Sequence, residues 1–91
     1  MERQQRTIHF SGQVQGVGFR FTAKRLADSY HIAGYVRNLP DGRVEVIADG
    51  PRDVIDTFLA DLHNRMVGYI REMVQEPRTH CRQFADFSIR L

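Results

Sequence analysis

The sequence predicts an α+β fold in which two helices pack on one face of a mainly antiparallel sheet of four or five strands. Three observations support the prediction. Several short segments alternate apolar and polar residues, which is typical of half-buried strands. Two longer segments repeat apolar residues at helical spacing. Between two of the strand-like segments, Pro40-Asp41-Gly42 predicts a tight turn and therefore a hairpin.

The first half of the chain divides into a strand, a helix and the hairpin. Arg6 to Ser11 alternates and predicts the first strand. From Phe19 onward apolar residues recur at i, i+4, i+7, i+8 and i+11, which predicts a helix to about His31. Gly34 suits the exit from that helix. Tyr35 to Leu39 and Val44 to Ala48 predict the two hairpin strands.

The second half predicts another helix and two further strands, giving the order β-α-β-β-α-β with one extra strand possible. Asp49-Gly50-Pro51 is expected to open the helix, since proline favours the first helical turn, and the pattern fades near Asn64. Tyr69 to Gln75 alternates poorly, so its register stays open. Pro77 to Arg82 is expected to be a loop, and Phe87 to Leu91 predicts the last strand. This order is that of a ferredoxin-like sandwich, a fold that supports many functions.

Length and composition predict one domain over residues 1–91. The chain is 42% hydrophobic and 26% charged, which is ordinary for a soluble globular protein. Its 13 basic and 11 acidic residues are interspersed and give a net charge of +2, so charge does not argue for nucleic-acid or membrane partners. We see no signal peptide and no spanning segment, and Cys81 is a single cysteine. We therefore expect a cytoplasmic protein, with a monomer as the default state.

The segment between the first strand and the first helix is a candidate anion site. Gly12, Gly16 and Gly18 lie within seven residues, and glycine lets a ligand approach the backbone closely. Successive N–H groups and a helix N-terminus both favour negative charge. Arg20 in the first helical turn could contact two phosphate oxygens. From the residues alone, a tight turn without a ligand remains open, and the segment lacks the Lys-Ser/Thr pair of a Walker motif.

Asn38 is the second candidate. It ends the predicted second strand on the same face as Val36. A neutral amide can orient a water molecule without competing for the charge of a phosphate. From the residues alone, a simple turn residue before Leu39 is an equally good interpretation.

Two motifs resemble the signatures of the acylphosphatase family. Residues 11–20 (SGQVQGVGFR) resemble the first signature. Residues 34–38 (GYVRN), followed by residues 41–45 (DGRVE) and Gly50, resemble the second. The similarity runs from about Thr7 to Leu62 and resumes at residues 87–90. It departs between Asn64 and Arg82, where the short Gly-Pro turn of many family members is missing, and this leaves the strand there in doubt but not the site.

The resemblance implies hydrolysis of the carboxyl-phosphate bond of acyl phosphates to a carboxylate and inorganic phosphate. On matched positions, Arg20 and the loop backbone would bind the phosphoryl group, and Asn38 would position the water for in-line attack. The loop positions are Gln15, Gly16, Val17, Gly18 and Phe19. Because no carboxylate or histidine belongs to this set, the resemblance suggests a substrate oxygen as the base. No cofactor is expected, and without a metal-ligand cluster in the sequence we expect metal-independent activity.

Two other functions remain open. Ferredoxin-like sheets also bind RNA through aromatic residues on central strands, but Arg43 to Ala48 contains none. A domain that handles carbamoyl phosphate, similar to the N-terminal domain of hydrogenase maturation proteins, is the other alternative. Those domains sit in longer chains, so we expect a stand-alone enzyme here.

The remaining candidates are expected to be structural. Phe19, Phe21 and Tyr35 are predicted to pack in the fold, and Cys81 to be incidental. Four histidines lack the spacing of metal ligands and are expected to be non-catalytic: His9, His31, His63 and His80.

Overall fold

A computed structural model of the chain describes residues 3–79 and 82–91. The predicted order of elements is confirmed, with five strands. The elements are β1 (Arg3–Gly12), α1 (Phe19–Ser29), β2 (Ala33–Asn38), β3 (Val44–Pro51), α2 (Arg52–Arg65), β4 (Ile70–Pro77) and β5 (Phe87–Arg90). The sheet order is β4-β1-β3-β2-β5. Only the pairing of β2 with β5 is parallel, so the sheet is mainly antiparallel, as expected. His80 and Cys81 lie outside the described residues.

The core lies between the two helices and one side of the sheet, which we call the helix side. Alternate strand residues face it, because side chains along a strand point to opposite faces. Its largest fully buried members form one continuous cluster: Phe10, Phe19, Phe58, Phe87, Ile8, Ile55, Leu62, Val14, Val36, Val44 and Val46. Each such side chain stabilises the fold by about 1.5–3 kcal/mol. The opposite side of the sheet, which we call the open face, carries most of the polar strand residues.

The boundary between β3 and α2 differs from the prediction. Asp49-Gly50-Pro51 belongs to β3 and does not open the helix, because these residues continue the pairing of β3 with Arg3 to Gln5 of β1. Pro51 has extended backbone angles and forms the N-cap of α2, which begins at Arg52. Strand pairing with β1 therefore outweighs the local helix-start pattern.

The C-terminal end of α1 also differs from the prediction. The helix ends at Ser29, and the residue with a left-handed φ of 57° is His31. Gly34, expected at the helix exit, lies within β2 with a φ of 133°. A Cβ atom on Gly34 would overlap the carbonyl oxygen of Ile47 on the neighbouring strand. Glycine is required there by the close approach of two strand backbones.

β4 has weak alternation because it is an edge strand with few core contacts. Only Ile70 and Met73 of this strand pack against the core. Its register places Met73 opposite Phe10, with an irregularity at Ser11 and Gly12 of β1. The strand continues to Pro77, which the sequence assigns to a loop.

The packing predictions for the aromatic residues are confirmed for two and wrong for one. Phe19 is buried, with its ring centroid 4.9 Å from that of Phe10. Tyr35 is also buried, on the open face. Phe21, however, is 70% exposed. Two residues along a helix correspond to about 200° of rotation, so Phe21 points away from the core that holds Phe19.

Gly34→Ala is expected to destabilise the fold strongly, because the added methyl group meets backbone and the φ value disfavours an L side chain. The loss in the free energy of unfolding should be about 2 kcal/mol or more, measured by urea denaturation. Gly42→Ala is the matched control, since Gly42 has a φ of 94° but open space around its Cβ position. An equal loss in both variants would contradict this explanation.

Candidate active site

The glycine loop, residues 12–18, is fixed at both ends and open in the middle. At its start the side chain of Val14 is buried, and the Gln13 N–H donates to the Tyr69 carbonyl oxygen at 2.9 Å. At its end, the buried ring of Phe19 anchors the first turn of α1. Gln15, Gly16 and Gly18 between these anchors are exposed. The backbone of the loop is therefore held firmly while facing solvent.

The backbone N–H groups of residues 15–20 are available to a ligand. Gly16 and Gly18 have φ values of 77° and 81°, and Gly18 is the N-cap of α1 without a side-chain cap. Between Gln15 and Arg20, no backbone N–H donates to an acceptor in the part of the chain that the structure describes. Unpaired N–H groups at a helix N-terminus are a favourable site for an anion.

Arg20 adds a positive charge to the same helix end. It is partly buried in the first turn of α1, which contains no acidic residue. Within residues 3–79 and 82–91 its side chain forms no hydrogen bond or ion pair. A cation here is unfavourable for the helix dipole by itself, and a bound anion would remove that cost.

Asn38 ends β2 on the helix side of the sheet. It lies opposite Val44 of β3, and Val44 also lies opposite Phe10 of β1. Since neighbouring strands are about 4.8 Å apart, the backbones of Phe10 and Asn38 lie roughly 10 Å from each other across β3. The Asn38 Oδ1 atom is buried without a hydrogen-bond partner among the described residues. Such an acceptor is costly unless a donor reaches it.

Gln15 joins the glycine loop to the hairpin that follows Asn38. Its Nε2 donates to the carbonyl oxygens of Leu39 at 2.8 Å and Arg43 at 2.9 Å. The structure therefore brings the loop and the end of β2 to one end of the molecule. The sequence motifs predict that both segments matter, but no local pattern predicts this side-chain contact between them.

The open face carries a separate polar cluster centred on Glu45. Its carboxylate interacts with His9 Nε2 at 3.0 Å and accepts hydrogen bonds from Arg37 Nε at 2.8 Å and the Tyr35 hydroxyl at 3.1 Å. Burial raises the pKa of Glu45, but hydrogen bonds from His9, Arg37 and Tyr35 outweigh it and lower this pKa below its ordinary value. Burial, followed by the charge of Glu45, raises the pKa of Tyr35. His9 thus has a partner in the sheet, on the face opposite to Asn38.

Two other kinds of site are absent from the described residues. In the described residues, no group of three or more His, Cys, Asp or Glu side chains could hold a metal ion. None of the described helices is long and apolar enough to cross a membrane.

Comparison with known proteins gives matches of sequence and of structure. The family model for acylphosphatase matches residues 6–89. An acylphosphatase of Methanospirillum hungatei is 51% identical over 61 residues, which cover 67% of this chain and 67% of that protein. Matches to eight curated relatives cover between 52% and 67% of their lengths.

Two solved structures are similar over nearly the whole chain. The crystal structure of an acylphosphatase from Bacillus subtilis has a TM-score of 0.88 and 30% identity, and the match covers 99% of this chain and 100% of that one. The crystal structure of T. kodakarensis HypF has a TM-score of 0.83 and 27% identity, covering 99% of this chain but only 12% of the HypF chain. The same fold therefore also occurs as a small part of a longer protein.

Glu45→Gln is expected to reduce stability at neutral pH, with a loss that shrinks in acid. The carboxylate has an ordinary pKa of 4.5 and a lower one when folded, so its stabilisation is complete above 4.5 and disappears as pH falls through the lowered value. Losing the charged hydrogen bonds should cost about 1–3 kcal/mol at pH 7. Urea denaturation between pH 7 and pH 3 measures the difference from the unsubstituted protein.

The matched control for that series is Glu76→Gln, on the exposed end of β4. It should change stability little at any pH. A loss for Glu45→Gln that stays constant down to pH 3 would show that the carboxylate charge is not responsible.

Proposed function

Because this chain belongs to the acylphosphatase family, we propose that it hydrolyses the carboxyl-phosphate bond of acyl phosphates to a carboxylate and inorganic phosphate. The observation that carries this proposal is that Arg20 and backbone N–H groups without an acceptor lie together at the N-terminus of α1. That arrangement suits a phosphoryl group, which spreads negative charge over several oxygens. A small-molecule acyl phosphate is the substrate, and inorganic phosphate is a product.

Binding of the phosphoryl group is assigned to Arg20 and to the backbone of residues 15–19. The guanidinium of Arg20 can contact two phosphate oxygens, whereas the N–H groups reach the same oxygens from the loop. Donors fixed in advance need little reorganisation as charge develops on the equatorial oxygens. The buried side chains of Val14 and Phe19 support the proposal, because they hold the loop in place before a substrate arrives.

Orientation of the attacking water is assigned to Asn38. Its side-chain amide, at the end of β2 and only partly buried, can hydrogen-bond the water and hold it with a lone pair directed toward phosphorus. Being neutral, the amide does not repel the phosphoryl oxygens. In-line attack requires the water on the side of phosphorus opposite to the leaving carboxylate.

The proton balance needs no protein base. The water oxygen bonds to phosphorus, the bond between phosphorus and the acyl oxygen breaks, and its electron pair leaves with the carboxylate. The water proton passes to a phosphoryl oxygen of the substrate and departs with inorganic phosphate. A carboxylate leaves readily without protonation, since its pKa is about 4. No metal or cofactor takes part in the proposed steps.

The proposal also covers organisation and location. Residues 1–91 act as one domain, as a cytoplasmic monomer without nucleic-acid or membrane partners. The even mixture of charges supports this part of the proposal.

Handling of carbamoyl phosphate is the second candidate function. Carbamoyl phosphate contains the same carbonyl-phosphate linkage, so the same loop could bind it. The match to part of the longer HypF chain shows that this fold also occurs within larger proteins, as the alternative requires. Relative kcat/KM values for benzoyl phosphate and carbamoyl phosphate would distinguish the two functions.

Arg20→Ala and Asn38→Ala should each reduce kcat for benzoyl phosphate by about 10²–10³ or more, in the presence of a chelator. Arg20→Ala should also weaken inhibition by inorganic phosphate, because it removes a binding contact. Asn38→Ala should weaken that inhibition much less, because the amide acts on the water. Steady-state hydrolysis with phosphate as an inhibitor measures both effects.

Arg25→Ala provides the control, since Arg25 is an exposed arginine one turn further along α1. It should retain nearly full activity. An inactive unsubstituted protein, dependence on a metal, or equal activity in all three variants would contradict the proposed function.

A further inference from the structure

The side chain of Gln15 connects two segments of the proposed site by hydrogen bonds. Both protons of its amide nitrogen are used, one toward the Leu39 carbonyl and one toward the Arg43 carbonyl. Between the described residues, these are the only hydrogen bonds that connect residues 13–20 to the β2–β3 hairpin. The two hydrogen bonds join residues that are 24 and 28 positions apart in the sequence, so they depend on the tertiary fold rather than on a local turn.

The two carbonyl groups lie directly beyond Asn38. The last pair of the β2–β3 ladder is Asn38 opposite Val44, and Leu39 and Arg43 are the next residue on each strand. The Leu39 N–H donates to the Arg43 carbonyl at 2.8 Å, which continues the hairpin by one step. Gln15 therefore binds the hairpin at the residues that immediately follow the Asn38 pair.

Hydrogen bonds within the hairpin turn hold it in place, so the Gln15 side chain can fix the loop relative to the end of β2. The Gly42 N–H donates to the Leu39 carbonyl at 3.1 Å, and the Arg43 N–H donates to Asp41 Oδ1 at 3.1 Å. The Asp41 carboxylate also accepts from Arg43 Nε at 2.8 Å. The turn and the glycine loop are each held in place by their own contacts, and the Gln15 side chain connects them.

We propose that Gln15 is a positioning residue that sets the distance between the bound phosphoryl group and the water held by Asn38. This inference rests on the proposed function. The backbone of Gln15 belongs to the phosphate-binding loop, whereas its side chain fixes that loop against the strand that carries the water ligand. In-line attack depends on this distance, and a misplacement of about 1 Å can cost about 10²-fold in rate.

Gln15→Met removes the two donors while keeping a side chain of similar length. We expect kcat for benzoyl phosphate to fall about 10- to 100-fold, with KM and inhibition by inorganic phosphate nearly unchanged. Phosphate binding should persist because the loop N–H groups and Arg20 remain. Gln13→Met is the matched control, since Gln13 is exposed in the same loop and its side chain forms no hydrogen bond with the described residues. It should keep full activity.

A double-mutant cycle with Asn38→Ala separates positioning from a general structural effect. Once the water ligand is absent, misplacement of the loop should matter little. Adding Gln15→Met to Asn38→Ala should therefore lower kcat less than about threefold further. Losses that multiply in the double variant would show that Gln15 acts independently of Asn38 and would overturn the inference. Thermal unfolding of all variants checks that each is folded at the assay temperature.

The two proposals fail in different ways. An unsubstituted protein without acylphosphatase activity overturns the proposed function and this inference with it. An active protein in which Asn38→Ala is impaired, but Gln15→Met behaves like Gln13→Met, overturns only the role of Gln15. A rise in KM without a fall in kcat for Gln15→Met also overturns it, since that result would assign the side chain to substrate binding.

Discussion

The register of β3 with its two neighbours determines the geometry of the candidate site. Val44 lies opposite Phe10 on one side and Asn38 on the other, so the end of β1 and the end of β2 are fixed at the same level of the sheet. The glycine loop leaves β1 two residues after Phe10. A shift of either strand by one residue would turn Asn38 or Phe10 to the open face, because side chains alternate along a strand. Burial of the apolar residues on the helix side prevents such a shift.

The electrostatics of the loop follow from its position between a strand and a helix. Gly18 caps α1 through its backbone alone, and the N–H groups of residues 15–20 have no acceptor in the described part of the chain. The positive end of the helix and Arg20 then create a local excess of positive charge. In a protein with a net charge of only +2, this is a local feature rather than a consequence of overall charge. This arrangement suits a small anion placed at one point.

Much of the fold could be predicted from sequence, and the exceptions have identifiable physical causes. The helical stripes, the hairpin turn and the glycine loop are local patterns, and each was found in its expected place. The local pattern of Asp49 to Pro51 predicts a helix start, because their pairing with Arg3 to Gln5 of β1 joins residues far apart in the sequence. The exposure of Phe21 agrees with the helical stripe, since Phe21 lies about 200° around the helix from Phe19; predicting it as packed from its aromatic type ignores that periodicity. The contacts of Gln15 depend on residues far along the chain, and no spacing rule predicts them.

The central claim is that water attacks phosphorus while Arg20 and the backbone of residues 15–19 hold the phosphoryl group. Hydrolysis of benzoyl phosphate in water enriched in oxygen-18, with mass analysis of both products, tests it most directly. Attack at phosphorus predicts that the label enters inorganic phosphate and that benzoate remains unlabelled. Label in benzoate would show attack at the carbonyl carbon, and it would contradict the roles assigned to both Arg20 and Asn38.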